Sequence, residues 1–374
     1  MKRKIISITV SCLHQTSVLL LTLAIWGCHD IQGTAKSTQL DHSVPDWILP
    51  VKDFVAGEHP PFKECHASTI LRLKNGSFLI AWFAGEKEKN DNVGIWMVKG
   101  SPKNWTSPFE VAKIRNDAHW NPVLFASPTG RIFLFFKVGK DTELWETWYK
   151  TSDDEGSTWT EARELVKGDK GGRGPVRSKP IILSDGTWLA GASHEYNGFH
   201  VFTDRSMDSG ASWIPTPYLS LSDSSWKGKE LIQPTLWESN PGLVHMLIRS
   251  ELGSIFRSDS KDFGKTWSAL YRTSLPNPNS GIDVTKLPDG TLVLAYNPDN
   301  HNDGDRAPLL LATSFDNGLT WPKSFSVEEG KGDDEFSYPG LISFGDTLAM
   351  SYTWQRKNIA FWMGTKQDLL KEGH

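Results

Sequence analysis

The chain has 374 residues and a formal net charge of -4, from 44 acidic and 40 basic side chains. This balance excludes the basic surface with which proteins hold nucleic acid or an anionic membrane. Hydrophobic residues make up 38% and charged residues 22%, which is typical of a folded protein rather than a disordered one. The length predicts two domains or one large repeat architecture.

Residues 1–27 are predicted to be an export signal. Three basic residues at positions 2–4 precede an apolar run over 17–26, which is too short to be a convincing membrane span. Gly27-Cys28 resembles the processing site of bacterial lipoproteins, although Trp26 departs from the small residue usual before that glycine. The protein is therefore expected to be exported, either as a periplasmic or secreted protein or as an outer-membrane lipoprotein, with a lipidated Cys28 as its only membrane attachment.

The rest of the chain is predicted to be a polar tether over 28–45 followed by one repeat domain over 46–374. A motif Ser-x-Asp-x-Gly-x-Thr/Ser-Trp recurs four times, and each copy begins 54 residues after the previous one. The copies are Ser152–Trp159, Ser206–Trp213, Ser260–Trp267 and Ser314–Trp321. No sequence feature demands a metal or an organic cofactor, because no zinc-site spacing of cysteine and histidine and no Gly-rich phosphate loop is present.

A second pattern, a glycine turn followed by a short apolar run, occurs six times. The turn glycines are Gly76, Gly130, Gly186, Gly242, Gly290 and Gly345. Turns of this kind between runs of β-branched and aromatic residues indicate hairpins. The sequence thus predicts an all-β fold, a six-bladed β-propeller of four-stranded antiparallel blades. The motif aspartates are predicted to stabilise hairpin turns rather than to catalyse.

The four motif copies resemble the Asp-box, or BNR repeat, of the sialidase (neuraminidase) superfamily. From about Glu64 to Trp362 the chain resembles the bacterial "predicted neuraminidase" group, as in Trp120-Asn-Pro-Val-Leu-Phe and Gly174-Pro-Val-Arg-Ser-Lys-Pro. The resemblance implies the propeller fold and an active site at one mouth of its central channel. Asp-boxes also occur in propellers that are not enzymes, so they indicate the fold more strongly than the function.

The resemblance also implies roles for particular residues. Arg249 and Arg306 correspond to arginines that bind a substrate carboxylate, Tyr338 to a nucleophilic tyrosine and Asp91 to an acid/base aspartate. Glu238 is the nearest candidate for the glutamate that activates the tyrosine, although its register is off by about two residues. Guanidinium groups suit a carboxylate because they donate paired charge-assisted hydrogen bonds.

One position departs from the sialidase pattern. His66 stands where the first of three carboxylate-binding arginines is expected, so the predicted triad is incomplete. The group's characteristic strings add further candidate pocket residues: His119, Arg177, Lys179, Asn279, Asp283 and Arg356. His119 is considered as a catalytic residue because an imidazole transfers protons near neutral pH. His66, Arg177, Asp283 and Arg356 are considered as substrate-binding residues.

Three functions are compatible with the sequence. The leading hypothesis is an exo-acting glycoside hydrolase, an exo-α-sialidase or a similar enzyme, that releases a terminal acidic sugar from glycans. The second is a uronate-polysaccharide lyase or rhamnosidase-type enzyme on the same scaffold, in which His119 or Tyr338 would move a proton. The third is a propeller that binds glycans without catalysis. The expected partner in each case is a carbohydrate and not a nucleic acid.

Overall fold

The computed structural model describes residues 49–196 and 198–371. The predicted export signal, Cys28 and tether lie outside the described residues and stay predictions. No helix among the described residues has the length and apolarity needed to cross a membrane.

The described residues form six antiparallel sheets, which we call blades 1 to 6 and which confirm the predicted all-β six-bladed propeller. Blade 1 contains β2 (Glu64–Arg72), β3 (Phe78–Gly85), β4 (Gly94–Ser101), β5 (Asn104–Trp105) and β6 (Phe109–Ala112), the last two both pairing with β4. Blade 2 contains β7 (His119–Ala126), β8 (Ile132–Val138), β9 (Glu146–Ser152) and β10 (Arg163–Glu164). Blade 3 contains β11 (Ile181–Ile182), β12 (Trp188–His194), β13 (His200–Ser206) and β14 (Ile214–Pro215).

The remaining blades follow the same order along the chain. Blade 4 contains β15 (Leu231–Asn240), β16 (Leu243–Ser250), β17 (Ser254–Ser260) and β18 (Tyr271–Pro276). Blade 5 contains β19 (Asp283–Lys286), β20 (Leu292–Tyr296), β21 (Leu309–Ser314) and β22 (Lys323–Glu328). Blade 6 contains β23 (Phe336–Phe344), β24 (Thr347–Trp354), β25 (Asn358–Thr365) and the first strand, β1 (Val51–Phe54). A short helix α1 (Lys366–Leu370) and a 3-10 turn (Ser224–Trp226) complete the described elements.

The two ends of the domain meet in blade 6. The strand β1 pairs antiparallel with β25, with Val51 opposite Met363 and Phe54 opposite Ala360. This pairing closes the ring of sheets and removes an exposed edge from blade 6.

The core lies between blades rather than at one centre. Six clusters of buried apolar side chains are described, and each joins two neighbouring blades. The middle strands are therefore covered on both faces, as in the fully buried run Ile132–Val138. Burial of this kind stabilises by about 25 cal/mol per Å² of apolar surface, which makes the interfaces between blades the main source of stability.

The Asp-boxes lie between the third and fourth strands of blades 2 to 5. In the third copy, Asp262 accepts hydrogen bonds from the Thr266 N–H (2.9 Å) and hydroxyl (2.6 Å), and Gly264 N–H donates to Ser260 Oγ (3.0 Å). These bonds close the turn internally, so the motif aspartates have structural partners. The first-named strand of each blade is its inner strand, because first-named strands of neighbouring blades contact one another. Since adjacent strands of a blade run in opposite directions, the boxes lie on the side where the inner strands end, which we call the box face. The opposite side, where the inner strands begin, is called the mouth.

Candidate active site

A β-bulge recurs near the start of four inner strands and shapes the mouth. Ala67, Asn121, Gln233 and Tyr338 each have a φ between 41° and 57°, and the strand register shifts at each of them. Left-handed backbone is uncommon for residues other than glycine, and a bulge redirects side chains out of the regular pleat. Two of these side chains, from different blades, contact the same guanidinium, that of Arg249.

Arg249, near the end of β16, is the centre of this arrangement. Its Nε donates to Asn279 Oδ1 (2.9 Å), and its Nη1 donates to Gln233 Oε1 (3.1 Å) and to the phenol oxygen of Tyr338. Its Nη2 lies 3.6 Å from Glu230 Oε1. Burial opposes its charge, but Tyr338 and Glu230 outweigh burial and raise the pKa of Arg249. A fully charged arginine therefore adjoins the phenol oxygen.

Three arginines surround the ring of Tyr338. The Cζ atoms of Arg177, Arg249 and Arg306 lie 5.4, 5.4 and 5.5 Å from the ring centroid. The imidazole of His66 lies 4.2 Å away, centroid to centroid. We call these five residues the arginine pocket. Blades 1, 3, 4, 5 and 6, or the loops that adjoin them, each contribute one member.

A glycine makes room for the phenol. A Cβ at Gly281 would lie 3.1 Å from Cγ and 3.2 Å from Cδ1 of Tyr338, which is closer than most such contacts. A side chain at this position would therefore push the phenol away from Arg249.

The rim of the pocket carries paired charges. Glu335 accepts from Arg306 Nη1 (3.1 Å) and Arg356 Nε (2.8 Å), and Arg356 Nη1 donates to Glu88 (2.5 Å). Burial opposes ionisation of Glu335, but Arg356 and Arg306 outweigh burial and lower its pKa. The rim side chains are about a fifth to a third exposed, whereas Arg177 is only 2% exposed. The pocket therefore has a partly exposed rim of ion pairs and a buried, positively charged floor.

Two polar atoms at the floor of the arginine pocket have no hydrogen-bond partner among the described residues. They are Nδ1 of His66, which is 3% exposed, and Nε of Arg177, whose Nη2 donates to the Pro339 carbonyl (2.7 Å). Burial and then Arg356, Arg306, Arg177 and Arg249 lower the pKa of His66 well below its usual range, so its imidazole is neutral. Buried polar groups normally have partners, so these two atoms indicate a place for a bound ligand.

Seven predicted site residues meet at the mouth. They are His66, Arg177, Arg249, Asn279, Arg306, Tyr338 and Arg356. Sequence reasoning missed Gln233, Glu335, Glu88 and Glu230 as members of this group. Glu335 is three residues before Tyr338 and Glu88 is three before Asp91, so two of the missed residues lie close in the sequence to predicted ones.

Glu238 is not in this site. It pairs with Val244 near the far end of β15, whereas Arg249 pairs with Ile232 near its start. Six residues of strand span about 20 Å, so Glu238 lies on the box face. There it accepts from the N–H and hydroxyl of Ser184 (2.8 and 2.9 Å). The prediction that Glu238 activates Tyr338 is therefore corrected.

His119 is a structural histidine. Its Nε2 accepts from the Ile114 N–H (2.9 Å), and its Nδ1 lies 2.9 Å from the Asp117 carbonyl. The ring is fully buried and stacks on Phe136, and burial lowers its pKa to about 4. Since backbone groups occupy both nitrogens, the prediction that His119 transfers a proton is corrected.

Asp91 lies on the loop between β3 and β4 near the mouth, as predicted, but it is exposed. Its backbone carbonyl accepts from Lys113 Nζ, and its carboxylate has no hydrogen-bond partner in the described part of the chain. On the same loop it is Glu88 that reaches the rim, through Arg356. The structure therefore favours Glu88 over Asp91 as the acidic residue that this loop brings to the site.

Asp283 is buried and already fully partnered. It accepts from Lys179 Nζ (3.0 and 2.9 Å), Thr235 Oγ1 (2.8 Å) and Leu341 N–H (2.8 Å). These contacts join blades 4, 5 and 6 and the segment that leads into blade 3. The prediction that Asp283 binds substrate is corrected, because it holds inner strands together.

Lys137, which was not among the predicted site residues, supports the segment that carries Arg177. Its buried Nζ donates to Thr147 Oγ1 (2.6 Å) and to the carbonyls of Gly172 (3.0 Å) and Arg173 (3.1 Å). Gly172 has a φ of 99°, and a Cβ there would lie 2.6 Å from Trp145 Nε1. The segment before Arg177 is thus fixed by a buried amine and a required glycine.

This amine makes stability depend on pH. Burial lowers the pKa of Lys137 to about 7 from its usual 10.5. Between these values the unfolded chain binds a proton that the folded chain has lost, so stability rises with pH in that window. We expect the free energy of unfolding, relative to that of Lys137→Met, to rise by roughly 2 kcal/mol between pH 7 and pH 9. Urea titrations of both proteins measure this, and parallel pH profiles would contradict it.

The described residues contain no group of three or more His, Cys, Asp or Glu side chains arranged to hold a metal ion. The charged groups of the mouth are mainly guanidinium donors, which suit an anionic ligand rather than a cation.

Residues 76–350 match the family described as "BNR repeat-like domain". The chain belongs to this family. The match confirms the predicted BNR repeats of the chain. No curated protein sequence matches the chain.

Solved structures with the same fold include several sialidases. The Hadza microbial sialidase Hz136 is 19% identical with a TM-score of 0.67, over 82% of this chain and 66% of that chain. A K499G mutant of the NanB sialidase from Streptococcus pneumoniae is 12% identical with a TM-score of 0.69, over 84% of this BNR-repeat chain and 70% of that chain. A protein of unknown function from Dyadobacter fermentans is 16% identical with a TM-score of 0.69, over 84% of this chain and 98% of that chain. At these identities the likeness shows the fold.

Proposed function

We propose that this protein is an exo-acting glycosidase that releases a terminal sugar carrying a carboxylate, such as a sialic acid. The observation that supports it most strongly is the ring of three guanidinium groups around Tyr338 in a buried pocket. Guanidinium groups bind carboxylates through paired, charge-assisted hydrogen bonds, and they gain strength where water is excluded. The pocket thus suits an acidic sugar better than a neutral one.

Tyr338 is the proposed nucleophile. A carboxylate nucleophile would be repelled by the carboxylate of the substrate, whereas a phenol is neutral until it reacts. Arg249 donates to the phenol oxygen and would stabilise negative charge that develops there. Glu230 contacts the same guanidinium and is the candidate base that takes the phenol proton.

Glu195 is the candidate proton donor for the leaving oxygen. It follows β12 at the mouth, and the charges of Glu230 and Arg249 both act on it. Burial, and to a lesser extent Glu230, raise the pKa of Glu195. A carboxyl group that keeps its proton closer to neutral pH is suited to general acid catalysis.

An elimination reaction on a uronate is the second candidate, and one observation favours it. The imidazole of His66 is neutral, adjoins Tyr338 and has an unpartnered Nδ1. A neutral imidazole is a base that could take the α-proton of a uronic acid while the arginines neutralise its carboxylate.

A glycan panel distinguishes these functions. The purified protein would be incubated with sialyllactose and with oligosaccharides of glucuronate and galacturonate. Release of an intact acidic monosaccharide, with no rise in the ultraviolet absorbance of unsaturated uronates, would support hydrolysis. A rise in that absorbance would show that the protein catalyses elimination and not hydrolysis. If calorimetry detects binding to members of the panel but neither product forms, the protein binds glycans without catalysis.

A further inference from the structure

Three side chains on the box face of blade 4 form a continuous chain of hydrogen bonds. Ser239 Oγ lies 2.8 Å from His245 Nε2, and His245 Nδ1 lies 2.5 Å from Asp259 Oδ1. The serine is the last residue but one of β15, the histidine is on β16 and the aspartate is on β17. Since these strands are adjacent in one sheet, rigid backbone holds the three residues together.

The position of the imidazole proton follows from these contacts. A separation of 2.5 Å between Nδ1 and a carboxylate oxygen requires a proton between them, so Nδ1 carries the hydrogen. Nε2 then carries a lone pair, which the hydroxyl of Ser239 (2.8 Å) and the amide nitrogen of Asn317 (3.0 Å) both approach. Arg257 Nε (2.9 Å) and the Tyr271 hydroxyl (2.6 Å) hold the two oxygens of Asp259, which fixes the carboxylate. This is the arrangement of nucleophile, base and orienting acid that activates a serine.

An open cleft adjoins the serine. It has a volume of about 420 Å³, and its lining includes Ser239, Asn240, Lys286, Asn317 and Lys366. The amide nitrogen of Asn317 lies 3.0 Å from the same Nε2 that faces Ser239. The indole N–H of Trp237 donates to Asn317 Oδ1 (2.8 Å), so the NH₂ of that amide is directed at His245 Nε2, the atom that Ser239 also contacts. An amide donor beside the nucleophile can stabilise an oxyanion.

We propose that Ser239, His245 and Asp259 form a second catalytic site, one that hydrolyses carboxylic esters. Ser239 Oγ attacks the ester carbonyl carbon while Nε2 accepts its proton, and the carbonyl oxygen becomes an oxyanion near Asn317. Collapse of this intermediate breaks the ester C–O bond, and the departing alcohol takes the proton from Nε2. Water then attacks the acyl-serine with the same assistance, which releases the acid and restores the hydroxyl.

The cleft lining indicates the class of ester. Two lysines and two asparagines make it polar, so it suits an ester of a polar alcohol, such as an O-acylated sugar, better than a lipid. The site lies on the box face of the propeller, whereas Tyr338 lies at the mouth. Ester hydrolysis is therefore independent of the proposed glycosidase.

Covalent labelling tests this proposal directly. The full chain would be treated with a fluorophosphonate probe and analysed by intact-mass spectrometry and peptide mapping, and 4-nitrophenyl acetate hydrolysis would be followed in parallel. We expect one label on Ser239, and we expect Ser239→Ala to lose the label and at least about 100-fold of the ester hydrolysis. Ser184→Ala is the matched control, because Ser184 is on the same face but bonds to a carboxylate.

Two variants show whether the ester hydrolysis depends on the residues of the mouth and whether its loss is caused by misfolding. Tyr338→Phe should keep the label and the ester hydrolysis in full. Thermal unfolding of Ser239→Ala should match that of the unchanged protein, so that lost labelling reports the missing hydroxyl. Absence of a label on the unchanged protein, or equal labelling of Ser239→Ala, would overturn the proposal.

Discussion

Replacing Tyr338 by Phe is expected to lower turnover of the acidic-sugar substrate by about a thousandfold or more, because the change removes the nucleophilic oxygen. The fold should persist, since the ring can still pack against His66 and the three arginines. The measurement is the single-turnover rate on the substrate found in the glycan panel, together with the thermal unfolding curve.

Tyr352→Phe is the matched control for this experiment. Tyr352 also belongs to blade 6, but its hydroxyl donates to Glu328 (2.5 Å), away from the arginine pocket. Turnover per folded molecule should therefore be unchanged in Tyr352→Phe. Full turnover by the Tyr338→Phe protein would show that the phenol is not the nucleophile.

Replacing Asp283 by Ala is expected to lower the free energy of unfolding by about 3–5 kcal/mol, because it leaves the ammonium of Lys179 without its carboxylate partner. It also removes acceptors from Thr235 Oγ1 and the Leu341 N–H in the middle of the ring. Urea titration measures the change.

An exposed ion pair gives the comparison for Asp283. Asp153 pairs with Arg131, and its side chain is 65% exposed. Asp153→Ala should therefore destabilise the protein far less than Asp283→Ala does. If Asp283→Ala were as stable as Asp153→Ala, the structural role assigned to Asp283 would be wrong.

The fold was predictable because its signals are local and repeated. Each glycine turn marks a hairpin, and the constant interval between boxes shows that the units are equivalent. The pairing of β1 with β25 was not predicted, since it joins segments about 300 residues apart and has no local signal. Closure of the ring is a property of the whole chain.

The site was predictable only where a side chain's direction follows from its motif. Arg249 and Tyr338 meet as expected, but Glu238 lies six residues along β15 from Ile232, the residue opposite Arg249, whereas Glu230, just before β15, contacts the guanidinium. For His119 the sequence shows the residue type but not that backbone groups fill both ring nitrogens. Such errors arise because the partners of a side chain depend on strand pairing and on the packing of neighbouring segments, which a short motif does not show.

The central claim is that the mouth recognises a carboxylate. Isothermal titration calorimetry tests it with N-acetylneuraminic acid and glucuronic acid, each compared with its methyl ester. We expect at least one free acid to bind about 100-fold more tightly than its ester, since charge-assisted hydrogen bonds contribute about 1.5–3 kcal/mol each. Arg249→Met should abolish the difference, whereas Arg272→Met, outside the pocket, should preserve it. Equal affinities for acid and ester in both pairs would contradict the account.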